Sequence, residues 1–250
     1  MKKRTSYERK KLELEFWRND PFEGGGKETL DSLVSKASEF EIFWEKINTY
    51  KSLFHTANRI LEIGGGQLWA SCIVKKWYPE KMVIGSDISQ EAVAGSFIWE
   101  RVFDVSLDDK FAFDVTKDEY TAIQYDLIFC FAAAHHFTNF DETFAGLKKI
   151  LSPGGRIIFL HEPFSNLFFY KLALRRVNKL RPVVQEDLLQ PHILKRAIKK
   201  NGLKYEIVRI PSTINRQGVA SIYYLIFRKV YFLNFLFPTS VDVLVSSKTR

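Results

Sequence analysis

Two cysteines in 250 residues leave no material for a disulfide framework, and Cys72 and Cys130 stand singly inside apolar stretches without metal-ligand spacing. Both thiols therefore read as small buried hydrophobes, in a chain suited to a reducing cytoplasm. The basic opening carries Lys2, Lys3, Arg4, Arg9, Lys10 and Lys11 against Glu8 alone, and no apolar run follows it that would serve as the core of a secretion signal. Internal repeats and low-complexity segments are absent. The one stretch approaching the length of a membrane span, 219–237, has Arg228 and Lys229 in its middle. Each would cost about 3 kcal/mol at the centre of a bilayer, so spanning is rejected. That aromatic stretch is expected to pack in the core or in an oligomer interface, or to lie on a membrane surface beside the apolar segment 164–170.

What is present is an ordinary globular composition, 46% hydrophobic, 15% aromatic and 26% charged, with a formal charge of +8. Much of that charge sits in the N-terminal tail. The rest lies around 171–181 and 195–204, where basic residues alternate with Leu, Ile and Val at helical spacing and read as solvated helix faces. Between Arg59 and Glu162, short apolar runs alternate with helical patterns, the signature of a mostly parallel α/β sheet. Strands are expected at 60–63, 82–86, 110–113, 125–131 and 156–161, then at 204–210 and 241–246. Helices are expected at 10–17, 28–54, 67–77, 89–102, 139–151 and 191–201. Ser89 is placed to cap one of them, and Asp141 and Glu142 suit the first turn of another. The glycine triplet Gly24–Gly25–Gly26 follows no strand and reads as a loop.

The chemistry concentrates in Ile60–Leu61–Glu62–Ile63–Gly64–Gly65–Gly66–Gln67, a strand, an acid, a glycine turn and a helix start. Such a turn lets backbone approach a ligand at the carboxyl edge of a sheet. A dinucleotide fingerprint would need a third glycine where Trp69 stands, which argues against NAD. Asp87 closes the second strand at the same edge, where an acid accepts both hydroxyls of a ribose. Asp114 closes the third, Phe131 ends the fourth, and Leu151–Ser152–Pro153–Gly154–Gly155 leads into the fifth.

In this order the motifs resemble those of class I S-adenosyl-L-methionine-dependent methyltransferases, over roughly 59–162. The resemblance implies a Rossmann-like seven-stranded, mostly parallel sheet with helices on both faces and an antiparallel last strand. It further implies N-terminal helices and a lid insertion. The expected organisation is an N-terminal helical extension or lid at 1–54, a cofactor-binding core at 55–163, a lid insertion at 164–190, and completion of the core at 191–250 with an aromatic insertion at 214–238. It also implies that Glu62, Gly64, Gly65 and Gly66 surround the methionine part of the cofactor. Asp87 with Ile88 would hold the ribose, and Asp114 with Val115 the adenine side, with Phe131 nearby. Leu68 departs from the pattern at the usual third glycine.

A sulfonium cofactor leaves the protein to position the acceptor and remove a proton. His135 and His136 after the fourth strand, and His161 at the end of the fifth, are the general-base candidates. No histidine and carboxylate set at ligand spacing accompanies them, so no metal is expected. The segment Phe131–Ala132–Ala133–Ala134 lacks the Asn/Asp-Pro-Pro-aromatic pattern of amino-group nucleic-acid methyltransferases, and no nucleic-acid module is appended. The expected acceptor is a small molecule, a saccharide or a lipid-linked compound, handled in the cytoplasm or at the inner membrane face. Two alternatives remain: an RNA-directed enzyme using the basic tail, and a non-catalytic, membrane-associated member of the fold.

Overall fold

Each of the seven apolar runs forms a strand: β1 (Arg59–Glu62), β2 (Met82–Asp87), β3 (Asp109–Ala112), β4 (Tyr125–Phe131), β5 (Leu151–Phe164), β6 (Leu203–Val208) and β7 (Thr239–Ser247). This computed structural model describes residues 5–19, 27–118, 123–179, 186–214 and 218–247; the glycine triplet 24–26 lies outside them. The strands make one sheet in the order β3-β2-β1-β4-β5-β7-β6. Neighbours from β3 to β5 are parallel, and β7 runs antiparallel to both β5 and β6.

Both faces of the central strands are covered, as parallel strands require. Leu127, Phe129 and Phe131 of β4 enter one core with Phe43, Phe54, Trp69 and Trp99. Ile128 and Cys130 of the same strand point the other way, into a second core with Phe144, Leu147, Leu194 and Ile198. The period-2 alternation along one strand thus feeds two helical layers. Cys72 and Cys130 are both free and buried.

The first layer contains α2 (Lys27–Thr49), α3 (Lys51–Thr56), α4 (Trp69–Trp77), α5 (Gln90–Ala94) and α6 (Ser96–Phe103); the second contains α7 (Phe140–Ile150) and α9 (Pro191–Lys200). The helix α1 (Ser6–Asn19) lies across the carboxyl edge, and α8 (Leu167–Val177), α10 (Val219–Lys229) and α11 (Leu233–Leu236) form further cover. None of these helices is long and apolar enough to cross a membrane, among the described residues.

Three of the departures from the sequence expectations change how an element is divided or where it begins. The helix expected over 28–54 breaks at Tyr50, which leaves the helical region (φ −108°, ψ 26°) while its hydroxyl donates to Asp242. The one expected over 89–102 divides at Gly95, although Ser89 caps it as foreseen by accepting from the Ala92 amide. The segment Leu151–Gly155 is not merely a lead-in, because pairing with β4 already begins at Leu151 and resumes at Arg156 after a register shift.

Candidate active site

After β1 the chain turns to α4 on one face of the sheet, and after β4 to α7 on the other, so a crevice opens at their carboxyl ends. A cavity of about 1190 Å³ occupies it. That exceeds the ~300–1,000 Å³ usual for one small ligand and leaves room for a cofactor and an acceptor together.

The glycine turn forms one wall. Gly64 has φ +65°, a conformation other residues rarely adopt. Gly65 allows a close approach: a Cβ there would stand 2.6 Å from Cδ of Glu62 and 2.8 Å from a methyl of Leu68. Glu62, expected among the cofactor contacts, does not line the cavity. Its Oε2 accepts from the Ser71 amide at 2.9 Å and from the Ser71 hydroxyl, so it ties the turn to the start of α4. Burial pushes its pKa up to about 7 against the pull of those two bonds.

The remaining cofactor candidates, Gly64, Gly65, Gly66, Asp87, Ile88, Asp114, Val115 and Phe131, all line the cavity. Asp87 is buried at the end of β2. Its Oδ2 accepts from the Gly66 amide at 2.8 Å and its Oδ1 from the Ser89 amide at 2.9 Å. Each oxygen keeps a lone pair for a further donor, which suits a ribose diol. Burial raises its pKa to about 6; the two amides oppose this, Glu13 adds to it and His136 opposes it. Asp114 is partly desolvated, yet hydrogen bonds from Lys10 and Thr116 outweigh burial and hold its carboxyl below the ordinary range.

Sequence reasoning missed how thoroughly α1 covers this wall. Lys10 Nζ donates to both oxygens of Asp114 (2.8 and 3.0 Å), Arg9 pairs with Asp187 at 2.9 Å, and Arg18 reaches Glu91. Trp17 is buried over the turn, with ring atoms 3.1 Å from where a Cβ of Gly66 would be. The alternation of Arg9, Lys10, Glu13 and Trp17 along α1 carried no signal that these were more than an amphipathic helix.

All three candidate histidines reach the cavity, in different settings. His135 is held between two carboxylates, Nδ1 at 2.9 Å from Glu162 and Nε2 at 2.6 Å from Glu186. Burial alone would discharge it, but the bonds to Glu162 and Glu186 prevail and raise its pKa to about 9. With both nitrogens engaged by carboxylates, His135 is not placed to accept a proton from an acceptor, contrary to the sequence expectation. Glu162 is itself immobilised by the amides of Ala133, Ala134 and His135 at 2.9–3.1 Å. His136 lies with Nδ1 3.5 Å from Glu13 and Nε2 3.4 Å from Glu186. His161 sits in the left-handed region at φ +55°, donates its amide to Asp242 Oδ1 at 2.8 Å and stacks on Phe131. Although no ligand set was expected from the spacing, His135, His136 and Glu186 bring one donor atom each within 4.8 Å of one another.

The rest of the lining is apolar and comes from the later insertions: Phe169, Leu172 and Val177 of α8, Tyr223 and Tyr224 of α10, and Phe237. Phe169 stacks on Phe237 at 5.0 Å, and Asn166 donates to the carbonyls of Phe235 and Leu236, joining α8 to α11. Outward, α8, α10 and the segment through α11 expose Leu167, Phe168, Val219, Ile222, Leu225, Ile226, Phe232 and Phe235, with Phe168 85% accessible. Lys171, Arg175 and Lys229 are exposed on these helices as well. The stretch 219–237 is thus only partly core: Tyr223 and Phe227 stack inward at 4.0 Å while its other face meets solvent.

A sheet of this order, with a glycine turn after β1 and an acid after β2 on one cavity, defines the class I methyltransferase fold. The family model of the methyltransferase domain matches residues 30–207, and the chain belongs to that family. No curated protein matches it in sequence. Among solved structures, the YcgJ protein from Bacillus subtilis is similar with a TM-score of 0.55 at 15% identity, over 77% of this chain and 93% of that one. Geranyl diphosphate C-methyltransferase from Streptomyces coelicolor, in complex with Mg2+, geranyl diphosphate and S-adenosyl-L-homocysteine, gives 0.61 at 11% identity, over 90% and 85%. Magnesium protoporphyrin IX methyltransferase from Synechocystis, with bound S-adenosylhomocysteine, gives 0.56 at 14%, over 95% and 100%.

Proposed function

We propose that this protein transfers a methyl group from S-adenosyl-L-methionine to a small acceptor, and that the acceptor is lipid-linked. The observation that carries the reading is a single cavity with two kinds of wall: the glycine turn and Asp87 on one part of it, and the aromatic residues of α8 and α10 on another. The turn and Asp87 fit the cofactor, since the glycines admit close backbone approach and Asp87 keeps acceptor capacity on both oxygens. When bound, the cofactor supplies an electrophilic methyl on a sulfonium. Asp87 would orient the ribose. Lys10 and Trp17 would close α1 over the site as a lid and exclude water. Where the nucleophile is a hydroxyl or amine, His161 takes its proton, because it lines the cavity and its backbone is fixed through Asp242.

The exposed apolar face of α8, α10 and α11 belongs to the same helices that line the acceptor wall. Large apolar side chains exposed together on one set of helices are uncommon on a monomer that meets only water. Its accompanying Lys171, Arg175 and Lys229 complement an anionic membrane surface, on which we place the protein peripherally. An acceptor anchored in that membrane would then enter along the aromatic wall.

Calorimetric titration with S-adenosyl-L-methionine and its demethylated product, in wild type and Asp87→Ala, tests the cofactor site; binding by wild type that the variant loses is expected. Transfer of a labelled methyl group is then followed into lipid and aqueous extracts. Label confined to the aqueous extract would overturn the lipid-linked acceptor and leave the methyltransferase reading intact.

A further inference from the structure

We infer that His135, His136 and Glu186 form a binding site for one first-row divalent cation of the zinc type, opening into the cavity. The inference rests on the arrangement of both rings. Each turns Nε2 toward the same oxygen, Glu186 Oε2, at 2.6 Å from His135 and 3.4 Å from His136. Each turns Nδ1 toward a different carboxylate, His135 to Glu162 at 2.9 Å and His136 to Glu13 at 3.5 Å. Metal-binding histidines are oriented in just this manner, one nitrogen on the ion and the other held by a carboxylate that fixes the ring.

Distances agree with this use. Donors about 2.0–2.2 Å from a tetrahedral ion stand roughly 3.4 Å apart. The His136–Glu186 pair is already at 3.4 Å; the His135–Glu186 pair must widen by less than about 1 Å as the ion takes the place of the Nε2 proton between them, which is released to solvent. The three donor atoms lie within 4.8 Å of one another. Glu162 is anchored by three backbone amides, so the ring it holds does not drift. Arg9, a nearby cation, is directed to Asp187 and the His135 carbonyl.

The donor set selects the ion. Two imidazoles and one carboxylate suit zinc, cobalt or iron(II) and suit magnesium poorly, since magnesium prefers oxygen ligands and keeps its waters. Three protein ligands leave at least one coordination position open, and all three line the cavity. Resting on the acceptor reading proposed above, that position would take an oxygen or nitrogen of the acceptor and align it. This selects acceptors with a coordinating group beside the methylated atom. The sequence concealed the set because Glu186 stands fifty residues beyond the histidine pair.

The probe is the metal alone. Chelator-treated full-length protein is titrated with Co2+, read by visible absorption, and with Zn2+, read by competition. One equivalent is expected per wild-type chain, with at least hundredfold weaker binding in His136→Ala and in Glu186→Gln. Glu13→Gln, which leaves the three donors in place, is expected to weaken binding about tenfold. Uptake of less than one equivalent, or one equivalent bound equally by the wild type and both donor variants, would overturn the site. Magnesium displacing cobalt at comparable concentration would overturn the assigned class of ion. S-adenosylhomocysteine binding is measured on the same samples: if it persists without metal uptake, the metal site alone fails, and if it is absent while metal binds, the cofactor reading alone fails.

Discussion

The ammonium of Lys46 on α2 lies 2.7 Å from Oδ2 of Asp242 on β7, with both side chains almost wholly removed from water. Tyr50 donates to the same oxygen at 2.9 Å, and burial together with Asp242 pushes its phenol far above the ordinary range. The other oxygen, Oδ1, accepts the His161 amide. One carboxylate thus ties the N-terminal helices to the sheet and fixes the backbone of a residue facing the cavity.

Removing one member of this pair leaves a buried charge without its partner. Lys46→Met and Asp242→Asn are each expected to destabilise the protein by about 3–5 kcal/mol. The double variant should lose less than the sum, and thermal or denaturant unfolding of all three reads the difference. Strict additivity would show that the pair is not coupled.

Asp87 makes cofactor binding depend on pH. Its folded pKa of about 6 lies above the ordinary value of 3.8. The free protein therefore holds this proton more tightly than the unfolded chain does, and the group's stabilising contribution is fully present below about pH 4 and lost as pH rises through 6. Ribose binding needs the ionised form and runs the opposite way, so affinity should fall by up to tenfold per unit below pH 6. Calorimetry from pH 5 to 8 is the measurement. In Asp87→Asn the residual affinity should be flat over this range.

His161→Ala should lower kcat by about 10²–10⁴, with little change in KM or in cofactor affinity, if the ring removes the acceptor's proton. The same substitution leaves the amide bond to Asp242 available, so loss of fold is not expected. A rise in KM at constant kcat would instead make His161 a binding residue.

Phe168→Asp combined with Ile222→Asp places charge on the exposed apolar face without touching the glycine turn. Flotation with anionic vesicles should be lost while S-adenosylhomocysteine binding stays at the wild-type level. Co-flotation unchanged by the pair would exclude this face as the membrane contact.

The sheet was legible because its strands are apolar runs separated by clear turn residues, and the strand-end acids Glu62, Asp87 and Asp114 fell where the runs stopped. Ser89 declared its cap in the same way. What stayed hidden depends on contacts between distant segments. Glu62 looks like a ligand-facing acid until Ser71 comes back under it from α4. His135 looks like a base until Glu162 and Glu186, from β5 and the segment after α8, close on both nitrogens. The break at Tyr50 coincides with a hydroxyl that reaches a strand nearly two hundred residues later. Local propensity contains none of this information.

Leu68 replaces the third glycine of the turn and accepts a left-handed backbone, φ +63°, to do so. Its side chain fills the space above Gly85, where an added Cβ would stand 2.6 Å from Leu68 Cδ1. The two positions are therefore coupled: what one can hold depends on the other. Alanine at 85 with leucine kept at 68 meets a clash inside the core, whereas glycine at 68 relieves the backbone and opens the room. Glycine at 68 should therefore travel with a side chain at 85, and Gly85→Ala should be tolerated by Leu68→Gly protein and not by wild type.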